Sequence, residues 1–144
     1  VLLAYRDRSL KMHIAEADAF DADYRAMAHN IFPDGRLEDP DLMVIDGRYF
    51  MTMEDNEGLL TGHVRHGAQL ISDDGLSWRK ATPVRVYTHD IEFEDGSVLH
   101  AARRERPELW DARTEIKGRS EPTHLVTGVW DGREAWCLIQ PLSP

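Results

Sequence analysis

Short runs of alternating apolar and polar residues organise this chain, separated by turn-forming dipeptides, and they predict strands rather than helices. Leu42-Met43-Val44-Ile45 leads into Asp46-Gly47, and Tyr49-Phe50-Met51-Thr52-Met53 leads out of it. Ile91-Glu92-Phe93-Glu94 alternates, meets Asp95-Gly96 and returns as Val98-Leu99-His100-Ala101. His124-Leu125-Val126-Thr127-Gly128-Val129-Trp130 meets Asp131-Gly132 and returns as Ala135-Trp136-Cys137-Leu138-Ile139. With Asp34-Gly35 and Asp74-Gly75, half of the 10 glycines follow an aspartate. That dipeptide best fits a two-residue type I′ hairpin turn, in which both central residues take φ > 0. Adding Leu2–Tyr5, Met12–Ala15 and Gln69–Ser72 gives roughly ten short strands, an antiparallel all-β chain. One segment dissents. Between Glu16 and Asn30 the chain is Ala-rich, and Phe20, Tyr24, Met27 and Ile31 recur at helical spacing, while Asp18, Asp21 and Asp23 suit a loop. Helix and loop both stay open there.

Composition narrows the function more than the fold. The 144 residues suit one domain of ordinary size, and no run approaches the roughly 20 apolar residues of a membrane-spanning helix. With 26 acidic against 17 basic side chains, the formal charge of -9 excludes a generic phosphate-backbone binder, so neither nucleic acid nor membrane is expected as a partner. No charged-then-apolar leader opens the chain, although a chain that starts on Val has room for prior trimming. The single cysteine, Cys137, excludes an intrachain disulfide and a Cys-based zinc site.

Three clusters carry candidate chemistry. Glu38, Asp39 and Asp41 are three carboxylates within four residues at the mouth of a strand, and they raise one another's pKa if they converge. Strict alternation places Asp39 and Asp41 on one side and Glu38 on the other; a solvated strand end is the plain alternative. Arg103-Arg104-Glu105-Arg106-Pro107-Glu108 sets a carboxylate among three arginines, suited to gripping an acidic or hydroxylated ligand or to protecting an edge strand. Thr61-Gly62-His63-Val64-Arg65-His66-Gly67 places two imidazoles and a guanidinium between glycines, but His63 and His66 lack a third partner at metal-site spacing, so no metal is expected. No nucleophile elbow, Walker loop or dinucleotide fingerprint is present, and no cofactor is implied.

Taken in order, Gly35-Arg36-Leu37-Glu38-Asp39-Pro40-Asp41 through Tyr49-Phe50-Met51-Thr52 resembles the Glu-Asp-Pro hairpin segment of five-bladed β-propeller glycoside hydrolases and phosphorylases of families 32, 43 and 130. Ser72-Asp73-Asp74-Gly75-Leu76-Ser77-Trp78 resembles their blade turn, and Glu105-Arg106-Pro107-Glu108-Leu109 resembles the segment that supplies their general acid. The resemblance implies that residues 1–144 form a partial propeller catalytic domain of about three four-stranded blades. It implies hydrolysis of glycosidic bonds in poly- or oligosaccharides, with Glu105 as acid and Asp39 as a second carboxylate, or with Asp39 as proton donor if family 130 is the closer kin. Glu38, Arg65, His66, Arg106, Trp110 and His124 would bind the sugar, with Arg65, Arg106, His66 and His124 meeting hydroxyls or a uronate and Trp110 or Trp78 stacking on a ring. The first-blade Asp of such enzymes has no counterpart in an Asp-Pro setting among Asp7, Asp18, Asp21 and Asp23. The resemblance therefore also implies a homo-oligomer or a companion chain that completes the propeller. A secreted or periplasmic setting suits the activity better than the cytoplasm. The alternatives are a non-catalytic carbohydrate-binding or scaffold propeller fragment, and an unrelated β-sandwich.

Overall fold

Alternation buries one side of a strand and wets the other, and this chain uses it to build small antiparallel meanders. The computed structural model describes residues 1–111 and 121–142. Among these, twelve strands form four sheets in sequence order. The first sheet holds β1 (Leu2–Arg6), β2 (Met12–Glu16) and β3 (Arg25–Ala28). The middle sheet holds β4 (Leu37–Ile45), β5 (Arg48–Asp55), β6 (His66–Ser72) and β7 (Arg79–Tyr87). A two-stranded hairpin, β8 (Asp90–Glu92) and β9 (Val98–His100), precedes the last sheet of β10 (Arg103–Trp110), β11 (His124–Trp130) and β12 (Ala135–Pro141). The all-β reading holds, but among the described residues only the middle sheet has the four strands expected of each meander.

The dissenting segment is not helical. Arg25–Ala28 extends along β2, pairing Ala15 with Ala26 and Glu16 with Arg25. Phe20, meant for the buried face of a helix, is 81% exposed, so the helical stripe has nothing to pack on. The Asp-Gly turns also divide. Asp46 and Gly47, at φ 50 and 77, close the type I′ turn between Ile45 and Arg48 as expected. In the other four pairs the aspartate is not at positive φ, and those at 95-96 and 131-132 sit in longer connections, Glu92 pairing with Val98 and Trp130 with Ala135. At 74-75 the aspartate instead accepts hydrogen bonds from the Leu76 and Ser77 amides at 2.8 and 2.7 Å, which builds the turn from its side chain. Trp78 donates from Nε1 to the Gly75 carbonyl at 3.1 Å and packs against the core, so it holds this turn rather than a sugar.

The main core draws Met12 and Ile14 from β2, Leu37 from β4, Met51 and Met53 from β5, and Leu70 from β6. Strand β4 contacts both β1 and β10, so the leading strands of the other two larger sheets both reach it. Polar ties join the middle and last sheets. The Leu109 amide donates to Asp41 Oδ2 at 2.8 Å. Arg104, buried between the sheets, lies 4.9 Å over the Tyr87 ring, donates to Thr127 Oγ1 at 3.1 Å and to Gln140 Oε1 at 2.8 Å, and reaches the Thr88 carbonyl at 3.2 Å. Those bonds are what permit a guanidinium in that position, because an unpaired buried charge is expensive.

Candidate active site

The two charge clusters of the sequence meet where β4 lies beside β10. Each strand is broken by a bulge at that point. The β4–β5 register shifts between Glu38 and Asp41, and the β10–β11 register shifts between Glu105 and Glu108. Asp39 and Arg106 sit in these bulges at φ 50 and 56, and Arg65 at the start of the adjacent loop-to-strand junction has φ 62. Non-glycine residues in this region are strained, and such residues concentrate at working sites. The Pro that follows Asp39 and the one that follows Arg106 cannot donate to a ladder, which fits a bulge in each strand.

The bulge corrects the alternation argument. Asp39 does not pair off with Asp41. Carboxylate oxygens of Glu38, Asp39 and Glu54 lie within 4.8 Å of one another, while Asp41 turns to the Leu109 amide. Arg106 then spans the two sheets, with Nε 3.9 Å from Asp39 Oδ2 and Nη1 3.7 Å from Glu105 Oε1. Residues 39 and 105 therefore share one guanidinium. Arg6 Nη2 is 4.0 Å from Glu38 Oε1, which brings β1 to the same place.

Glu54 is the floor of the cluster. It lies on β5 opposite Glu38 and is 1% exposed. Arg65 Nε approaches Glu54 Oε1 at 3.0 Å, yet its N–H is directed at Asn56 Oδ1 at 3.4 Å, and Oε1 accepts no hydrogen bond among the described residues. Burial is the main reason the Glu54 pKa rises to about 7; Arg65 opposes the rise, and Glu105, Glu38 and Asp39 add to it. Burial likewise pushes Asp39 above the usual carboxylate range, against the pull of Arg106 and with the help of Glu38 and Glu105. The Tyr87 hydroxyl, also buried and without a hydrogen-bond partner among the described residues, is held in its neutral form first by burial and then by Glu54. Gly67 makes room for that ring, since a Cβ there would fall 2.1 Å from it.

Of the residues expected to bind sugar, Glu38, Arg65 and Arg106 join the cluster. His66 instead stacks between His63 at 4.8 Å and His89 at 5.3 Å, and its pKa is lowered by burial and then by those two imidazoles. Trp110 and His124 pair with each other at the far end of the last sheet, rings 5.6 Å apart. His124 lies four positions along β11 from Gly128, the partner of Glu105, or about 13 Å at ordinary strand rise. The structure does not bring these two to the carboxylates.

Glu54, Tyr87 and Arg6 were not among the sequence candidates. Glu54 did carry a signal: pairing outward from the Asp46-Gly47 turn sets position 54 opposite position 39, and the bulge moves it one residue to Glu38. Three clustered carboxylates are the hard-oxygen donors that Ca²⁺ or Mg²⁺ takes, but Arg65 and Arg6 already supply positive charge to two of them. No family model, no curated protein and no solved structure matches the chain.

Proposed function

We propose that this chain is a glycoside hydrolase that cleaves poly- or oligosaccharide bonds with Asp39 and Glu105, its three larger sheets disposed as propeller blades around those residues. The observation that carries the reading is one guanidinium, Arg106, holding two carboxylates from separate sheets above the buried Glu54. Glycoside cleavage uses two carboxyl groups in unlike surroundings, one to protonate the leaving oxygen and one to assist water or attack the anomeric carbon. Both side chains are partly open to solvent, as groups that touch substrate must be, whereas Glu54 is not. The raised proton affinity of Asp39 favours it as donor, with Glu105 as its partner. Glu54 acts as a positioning residue: protonated below about pH 7, it spares the pair above it a third negative charge.

A chromogenic aryl-glycoside panel tests this. Wild type should turn over at least one member, and Asp39→Asn and Glu105→Gln should each lose on the order of 100-fold or more in kcat with strand content by circular dichroism unchanged. A variant that keeps most of the rate removes its residue from the chemistry. One observation favours a second reading, a carbohydrate-binding unit without catalysis: each clustered carboxylate has an arginine near it. Binding of a panel sugar with no turnover of any substrate would select that reading.

A further inference from the structure

The last sheet has one buried face and one open face. Leu125, Thr127 and Val129 of β11 point inward and are buried. On the other face, Arg103 pairs with Trp130 and Trp130 with Ala135, while Glu105 pairs with Gly128 and Gly128 with Cys137. These residues line an open groove of about 330 Å³ that runs from Glu105 and Arg106 to Trp130. Gly128 is its floor. A Cβ built there would meet only the Glu105 carbonyl, at an ordinary 3.6 Å, so what the missing side chain preserves is the space above the strand. Trp130 is 41% exposed, and the Arg103 guanidinium lies 5.9 Å from its ring centre. Arg103 has no carboxylate partner among the described residues, although the chain carries 26 acidic side chains.

We infer that this groove binds an acidic saccharide unit, with Trp130 stacking on the sugar ring and Arg103 pairing with its carboxylate. The inference rests on the glycosidase reading and names the substrate class for it, a uronate-bearing glycan whose adjoining unit reaches Glu105. An aromatic face beside a guanidinium fits a ring that is apolar on one side and anionic at one substituent. Cores of protein interfaces are depleted of charge, whereas this groove is lined by Arg103, Glu105 and Arg106. That charge favours a saccharide over a second copy of the chain as occupant.

Isothermal titration with oligogalacturonate and glucuronate-bearing xylo-oligosaccharides, each beside its carboxyl-reduced neutral form, tests the proposal. The Asp39→Asn variant is the titrand, so that turnover does not interfere. An acidic member should bind at least tenfold tighter than its neutral form. Arg103→Gln should erase that preference, and Gly128→Leu, which fills the groove from an accommodating strand position, should weaken both forms at least tenfold. Equal affinity for acidic and neutral forms, or a preference that survives Arg103→Gln, overturns the inference. So does light scattering that shows a dimer which Gly128→Leu or Trp130→Ala converts to monomer, because the face would then be an interface between copies. Turnover of neutral glycosides without acidic preference defeats this inference and leaves the glycosidase reading standing. Acid-selective binding without turnover of any substrate does the reverse.

Discussion

Strands β5 and β12 are of similar length, and β12 carries the more continuous apolar run, Trp136-Cys137-Leu138-Ile139. Their surroundings are opposite. Every residue from Met51 to Asp55 of β5 is buried, including Thr52, Glu54 and Asp55, whereas Leu138 alone in β12 is even partly buried. The difference lies in what flanks them. β5 runs between β4 and β6 and has β10 near it as well as the methionine-rich core, while β12 is the edge of a three-stranded sheet. Side-chain hydropathy did not decide which of these residues are buried; position in the stack did. The same position gives Glu54 its unusual proton affinity, since a glutamate at the same phase of an edge strand would meet water.

The comparison can be broken in order of expected effect. Leu70→Ala, in the core that β5 shares, should cost about 2–5 kcal/mol in urea denaturation, because the neighbouring methionines and Ile14 cannot close the cavity. Glu54→Gln should change the pH dependence of stability. Between pH 4.5 and 7 the folded chain holds a proton at Glu54 that the unfolded chain has released, so wild-type stability falls as pH rises through that window, by up to about 3 kcal/mol. In the glutamine variant, melting temperatures measured from pH 4.5 to 8 should show a flatter slope. Asp41→Ala removes the acceptor for the Leu109 amide that ties the middle sheet to the last one, and should cost about 1–3 kcal/mol. Hydrogen exchange at Leu109 should accelerate with it. Ile139→Ser, on the 55% exposed position of β12, should stay within about 0.5 kcal/mol of wild type. A loss there close to that of Leu70→Ala would mean that the open face is covered in solution.

The strands were legible in the sequence because alternation and turn dipeptides are local, and Asp46-Gly47 even fixed the register of β4 against β5. The segment from Glu16 to Asn30 left helix and loop both open because spacing alone cannot tell a helix face from a loop followed by small residues lying along β2. Asp39 and Glu105 could be picked out by the company they keep. Their orientation could not, because one added residue in a strand inverts the alternation beyond it, and nothing local in Asp39-Pro40-Asp41 announces which residue is the extra one. Glu54 escaped for a different reason. Its neighbours in sequence describe a half-polar strand, and its burial comes from strands that the local pattern does not name, β4 and β6 on either side and β10 nearby.

The backbone twist at residues 39 and 106 also bears on how this chain could be improved. Left-handed geometry at a side-chain-bearing residue costs on the order of 1–3 kcal/mol, and glycine would relieve it at either place. A selection for heat tolerance alone would thus find Asp39→Gly among its cheap gains, since it also removes one negative charge from the cluster, and would return hardier molecules stripped of a carboxylate, whereas Arg106→Gly would leave two carboxylates without the cation that gathers them.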